Sequence, residues 1–131
     1  MFGLSKKVDY GLELLLFLAK QPAGQRIPLR YVAQKKKLPL KSLEQVAVSL
    51  GEAGLIRARE GRGGGYFLAK KPQKISVAEV VEILEGPVTL GACLGCPQAR
   101  ICSQKNIWSE VGDKVRETIE GKTLTDLVKK K

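Results

Sequence analysis

The stretch from Leu38 to Lys70, LPLKSLEQVAVSLGEAGLIRAREGRGGGYFLAK, constrains the fold more than any other part of the chain. Leu43, Val46, Ala47, Leu50 and Ala53 recur at helical spacing and share one apolar face, while Lys41, Ser42, Gln45 and Ser49 fall on other faces. Gly54 stands where a helix ends in a left-handed residue. Leu55 to Arg59 alternates apolar and basic, as an edge strand does. Gly61, Gly63, Gly64 and Gly65 make a tight turn around Arg62, and Tyr66 to Leu68 return as a second strand. A helix followed at once by a basic hairpin is the layout of a winged helix-turn-helix. The helix is then expected in a DNA major groove and the hairpin along the backbone or minor groove. The plainer alternative is an ordinary αββ fragment with a polar surface. A nucleotide-binding loop fits less well, because Gly61 to Gly65 joins strand to strand, whereas such loops run from strand into helix.

Composition points the same way. Among 131 residues there are 23 Lys plus Arg against 13 Asp plus Glu, a formal net charge of +10. That balance favours a polyanionic partner, double-stranded DNA first and an anionic membrane second. The length suits a domain with a real core. No apolar run is long enough to span a bilayer, and Leu12 to Ala19 is broken by Glu13 and lacks a cleavage site after it. A cytoplasmic location and no membrane partner are therefore expected. The chain has no histidine, which removes the usual general base. With no nucleophile–base pair or cofactor loop, an enzyme is not expected.

Before the hairpin unit, Leu4 to Lys20 reads as a helix capped by Ser5, with a stripe of Leu4, Val8, Leu12, Leu15 and Ala19. Ile27 to Leu29 reads as a short extended piece. Leu29 to Lys36 reads as a second helix with Val32 and Ala33 inward. Lys35, Lys36 and Lys37 precede the candidate recognition helix, where phosphate contact competes with simple solvation. After the wing, Ser76 and Glu79 form a capping box for a helix burying Val77, Val80, Val81 and Leu84, ended by Gly86-Pro87. Asn106 to Glu120 carries Ile107, Val111, Val115 and Ile119 four apart, widened by Trp108. This stripe is either core or, as favoured here, a dimer seam. Thr123 and Asp126 mark a last helix start, with Leu124, Leu127 and Val128 packing back. The expected fold is mostly α with a small β-hairpin wing. Residues 1–72 form the winged helix-turn-helix, and residues 73–131 pack as one domain of helix, cysteine loop and long dimerisation helix.

The three cysteines, Cys93, Cys96 and Cys102, all lie in the loop between those helices. Soft thiolates at short spacing suit zinc or an iron–sulfur cluster, and Gly91, Gly95 and Pro97 let the backbone wrap closely around an inorganic core. Inert thiols or a reversible disulfide are the alternatives. Three thiolates leave a fourth ligand to a carboxylate, water or a partner subunit. Zinc with three Cys and an oxygen is an uncommon structural set, so a cluster with one non-cysteine ligand is preferred.

Together these residues resemble the Rrf-two-type winged-helix regulators of bacteria, the group of IscR-, NsrR- and CymR-like proteins. The resemblance rests on Leu4-Ser5-Lys6, Asp9-Tyr10-Gly11-Leu12, Leu43-Glu44-Gln45, Gly54-Leu55-Ile56, Gly61, Gly63-Gly64-Gly65-Tyr66, the cysteine triplet, Trp108 and Thr123-Leu124, in order along nearly the whole chain. It implies a cytoplasmic homodimeric transcription factor, a repressor, that senses redox state, nitric oxide or iron–sulfur status. Ile107, Trp108, Val111, Val115 and Ile119 would line the dimer interface. Cys93, Cys96 and Cys102 would hold a two-iron or four-iron cluster. Asp9 fills a position similar to the aspartate ligand of NsrR-type sensors, supplied there by the other subunit, with Glu13 a weaker alternate. Lys41, Ser42, Glu44 and Gln45 would face the major groove, Arg57, Arg59 and Arg62 the backbone or minor groove, and Lys36 and Lys37 the phosphates. The chain departs from the family pattern in its closer first cysteine pair, in lacking an IscR-type histidine ligand, and in placing Glu60 where an arginine often precedes the first wing glycine. The competing expectations are a winged-helix regulator with a thiol–disulfide or zinc site, and a metal-handling protein with no DNA role.

Overall fold

The computed structural model of the protein describes residues 6–86 and 105–129. Its elements run α1 (Lys6–Ala19), α2 (Leu29–Lys36), α3 (Leu40–Glu52), β1 (Ile56–Arg59), β2 (Gly65–Leu68), a 3-10 turn (Pro72–Lys74), α4 (Val77–Glu85), α5 (Lys105–Glu120) and α6 (Leu124–Lys129). The expected mostly helical architecture with a small wing is thus present.

The helix-turn-helix forms because α2 and α3 each follow a proline held extended, Pro28 and Pro39. The backbone of Lys37, at φ 56 and ψ 47, turns left-handed and ends α2. The amides of Lys37 and Leu38 both reach the carbonyl of Ala33, and half-buried Leu38 packs on the core. Helix ends of this kind usually carry glycine, because a side chain there costs roughly 1–2 kcal/mol. Lys37→Gly is accordingly expected to raise stability. The relief outweighs the roughly 0.4–1 kcal/mol of extra chain entropy that glycine brings to the unfolded state. Urea unfolding should show a gain of about 0.5 kcal/mol.

The hairpin pairs Ile56 with Leu68, Arg57 with Phe67, Ala58 with Tyr66 and Arg59 with Gly65. The extended piece before α2 adds a third chain segment through one antiparallel bridge, with Ile27 N–H donating to Tyr66 O at 2.9 Å and Tyr66 N–H to Ile27 O at 2.8 Å. Gly65 makes that approach possible, because a Cβ there would lie 2.5 to 2.8 Å from the backbone atoms of Ile27.

One core joins the winged unit to the chain after it. Leu14, Leu43, Leu50, Leu55 and Ile56 share a buried cluster with Ile75, Val80 and Leu124. The start of α6 is stitched to the start of α4, with Val77 N–H donating to Lys122 O at 2.8 Å and Leu124 N–H to Ile75 O at 3.0 Å. Asp126 accepts the backbone N–H of Thr123 at 3.0 Å and so caps α6, as its sequence signature suggested.

Some local expectations are corrected. The buried residues of α1 are Val8, Gly11, Leu14, Leu15 and Leu18, whereas Leu12 and Ala19 are half-buried. At about 100° per residue the expected stripe is itself compact, but the buried face is centred about 60° further round, toward Gly11, Leu14 and Leu18, so Leu12 and Ala19 fall at its edge. Gly11 sits where α1 meets α4, its absent Cβ leaving room for the Leu84 side chain. On α4 the buried set is Ala78, Val80 and Val81, with Val77 and Leu84 half-buried. Ala53 falls beyond α3 and is exposed, while Gly54 takes the left-handed turn at φ 83. Ser76 Oγ accepts the Glu79 amide at 3.1 Å, but the Glu79 carboxylate pairs with Lys70 at 3.3 Å. Ser5, Leu4 and the cysteine loop lie outside the described residues.

Candidate nucleic-acid interface

The core fixes which face of α3 is turned outward. Leu43, Val46, Ala47 and Leu50 are buried, and this leaves Lys41, Glu44, Gln45 and Val48 exposed on the opposite side. Ser42 is half-buried at the edge of that face. On the wing, Arg57 and Arg59 are exposed along β1, and Arg62 is exposed at the glycine turn. Three guanidinium groups on one short hairpin next to an outward helix form a surface suited to a duplex, with donors for phosphate and base edges.

At the end of α2, Lys36 and Lys37 are both exposed. Lys36 Nζ lies 3.4 Å from a Glu13 carboxylate oxygen on α1, an exposed pair worth little in stability. Its charge is therefore partly engaged, whereas no ion pair involves Lys37, Lys41, Arg57, Arg59 or Arg62 among the described residues. The structure also shows a cluster that the sequence reading missed. Tyr31, on the exposed face of α2, meets Phe17 edge-on at 5.9 Å between ring centroids, and Lys35 Nζ stands 5.6 Å over its ring. The spacing of Tyr31 and Lys35, four apart on one helix, carries that signal; the Phe17 contact is tertiary.

The other predicted residues lie elsewhere. Asp9 is exposed in the first turn of α1, one turn before Glu13, and has no ion pair among the described residues. Cys93, Cys96 and Cys102 lie outside the described residues, so their arrangement with Asp9 rests on chemistry alone. Three soft thiolates in a chain without histidine, together with a free carboxylate on another element, are a donor set that fits an iron–sulfur cluster. On α5, which packs against α4, Ile107 is 51% exposed and Val111, Val115 and Ile119 are half-buried. The side chain of Trp108 is not among those described. Among the described residues, no helix is long and apolar enough to cross a membrane.

An outward α3, a basic wing and an α2 that presents α3 define a winged helix-turn-helix DNA-binding protein. The family model described as "Rrf2: Iron-dependent Transcriptional regulator" matches residues 4–130. The chain is 34% identical over 130 residues to the HTH-type transcriptional regulator NsrR of Shouchella clausii, covering 95% of this chain and 87% of that one. The solved structure of CymR, the global cysteine regulator of B. subtilis, superposes with a TM-score of 0.84 at 31% identity, covering 98% of this chain and 97% of that one. The IscR of T. potens superposes with a TM-score of 0.82 at 28% identity, covering 98% and 87%. The chain belongs to the Rrf2 family of transcriptional regulators and is a DNA-binding regulator rather than an enzyme. This membership sets aside the reading as a metal-handling protein with no DNA role.

Proposed function

We propose that the protein is a cytoplasmic, homodimeric repressor whose affinity for its DNA operator is set by an iron–sulfur cluster on Cys93, Cys96 and Cys102. The observation that carries this reading is the donor set itself: three thiols within ten residues, in the stretch of sequence between α4 and α5, in a family described as iron-dependent. Asp9 is the proposed fourth ligand, donated by the partner subunit. The apolar stripe of α5 is the proposed dimer seam, since Ile107 stands exposed beside Val111, Val115 and Ile119. Trp108 would widen it. In this scheme residues 1–72 bind DNA, and residues 73–131 dimerise and sense.

On the operator, Lys41, Ser42, Glu44 and Gln45 would face the major groove. A glutamine there pairs well with adenine, and a carboxylate accepts from cytosine N4. Arg57, Arg59 and Arg62 would hold the backbone or minor groove, with Lys36 and Lys37 on phosphates. When bound, the cluster supplies sensitivity to oxygen, nitric oxide or iron supply. Asp9 on α1 would tie that event to the winged unit, because α1 packs directly on α3. Such a local tie biases two arrangements of the DNA-binding units.

The test is chemical. Protein purified without oxygen should be brown and contain iron and acid-labile sulfide, and Asp9→Ala should lose cluster more readily while keeping its fold. A colourless protein that also resists reconstitution sinks the cluster reading. Zinc content and thiol titration would then separate a zinc site from a thiol–disulfide switch. On the DNA side, Lys37→Gly should weaken operator binding and make its salt dependence shallower by about one released counterion, although the same change stabilises the fold.

A further inference from the structure

Three large apolar side chains are exposed among the described residues: Tyr31, Val48 and Ile107. Tyr31 is engaged by Phe17 and Lys35. Ile107 belongs to the apolar stripe of α5. Val48 is 57% exposed on α3 and belongs to neither the buried face of that helix nor an apolar stripe.

Helical geometry shows where Val48 points. With about 100° between successive residues, Val48 lies about 20° from Lys41 around the helix and between Glu44 and Gln45. The buried residues Leu43, Val46, Ala47 and Leu50 are centred on the opposite side. Val48 is therefore near the middle of the outward face, about two turns beyond Lys41 and about 4.5 Å along the axis from Gln45. That step is somewhat longer than the rise of about 3.4 Å per base pair, so the two side chains reach neighbouring pairs. A β-branched side chain in a helix holds essentially one rotamer, so its methyl groups are presented in a fixed position. On a face of charged and amide side chains, one stiff apolar group has nothing to offer a phosphate. Its match in the major groove is the C5-methyl of thymine.

We propose that Val48 is a specificity-determining residue that selects a T·A pair in each half-site by packing on the thymine methyl, next to the pair read by Gln45. The proposal rests on α3 being the reading helix. A buried methyl contact corresponds to roughly four-fold in affinity.

The test uses the full chain, purified without oxygen, to select sites from a pool of random DNA duplexes at fixed salt. Wild-type sites should be enriched for a T·A pair at one fixed position in each half. Replacing that thymine with deoxyuridine, which lacks the methyl, should weaken wild-type binding roughly four-fold. In Val48→Ala the preference and the deoxyuridine penalty should both disappear, with an unchanged melting temperature because the side chain is exposed. The proposal is overturned if no thymine is selected, if deoxyuridine costs wild type nothing, or if the penalty persists in Val48→Ala. Lys41→Ala and Gln45→Ala, run in parallel, report on the helix itself. If they alter the selected sites and Val48→Ala does not, Val48 is refuted alone; if none of the three alters them, α3 is not the reader and both readings fall.

Discussion

Leu124→Ala should destabilise the whole winged unit by about 2–5 kcal/mol, the range for deleting a fully buried leucine side chain. Leu124 is 0% exposed and lies in the same cluster as Leu14, Leu43 and Leu50, although it belongs to the last helix. Its amide also donates to Ile75 O, so its backbone is fixed and the cavity cannot readily collapse. Domains of this size have a total stability of only about 5–15 kcal/mol. The melting temperature should fall by roughly 10 °C. Helical circular dichroism and DNA binding should be lost in one transition, because α1, α4 and α6 share the core. A second transition, with the winged unit melting later and unaffected, would show that α6 is only an appendage.

Gly65→Ala should be nearly as costly and should act on the wing. A Cβ at this position would lie 2.5 Å from the carbonyl carbon of Ile27 and 2.7 Å from its oxygen. Backbone atoms cannot step aside as a flexible side-chain end does. The two hydrogen bonds between Ile27 and Tyr66 must break or lengthen, at about 0.5–1.5 kcal/mol each, and overpacking adds about 1–3 kcal/mol. A loss of about 2–4 kcal/mol is expected. DNA binding should fall at least about ten-fold, the value of one lost charge-assisted contact, since Arg57, Arg59 and Arg62 no longer stand where the helix needs them. Gly63→Ala is the control. Gly63 has φ 68 but open space around its Cβ direction, so only the left-handed cost of about 1 kcal/mol applies. Chemical denaturation of the two variants side by side checks the ordering, and equal losses would remove the close-approach argument.

The parts of this fold legible in the sequence are those whose signals are consecutive. Helix, glycine stop, strand, glycine turn and strand follow one another from Leu38 to Leu68, so local chemistry alone is informative there. The faces of the outer helices were harder. α1 packs against α3, α4 and α6, and those three neighbours turn its buried face about 60° from the expected stripe of Leu4, Val8, Leu12, Leu15 and Ala19, toward Gly11, Leu14 and Leu18. Ala78 was overlooked because a small side chain gives little periodic signal, yet it is buried. The pairings of Glu13 with Lys36 and of Glu79 with Lys70 join residues far apart in the chain, which spacing cannot show. In the DNA-facing region the charged and amide residues were legible as such. Val48 fitted neither the apolar face of Leu43, Val46, Ala47, Leu50 and Ala53 nor the polar set, and its exposure became visible only once the buried side of α3 was fixed by the core.

The most direct test of the account is operator affinity measured at one salt concentration for the cluster-loaded and the cluster-free protein. A site selected from random duplexes serves as the probe. At least about a ten-fold difference between the two forms is expected, the size of an ordinary coupling free energy. Cys96→Ser should bind like the cluster-free protein under both conditions. Equal affinity of the two forms would contradict the cluster reading, and would leave a DNA-binding regulator whose signal enters elsewhere.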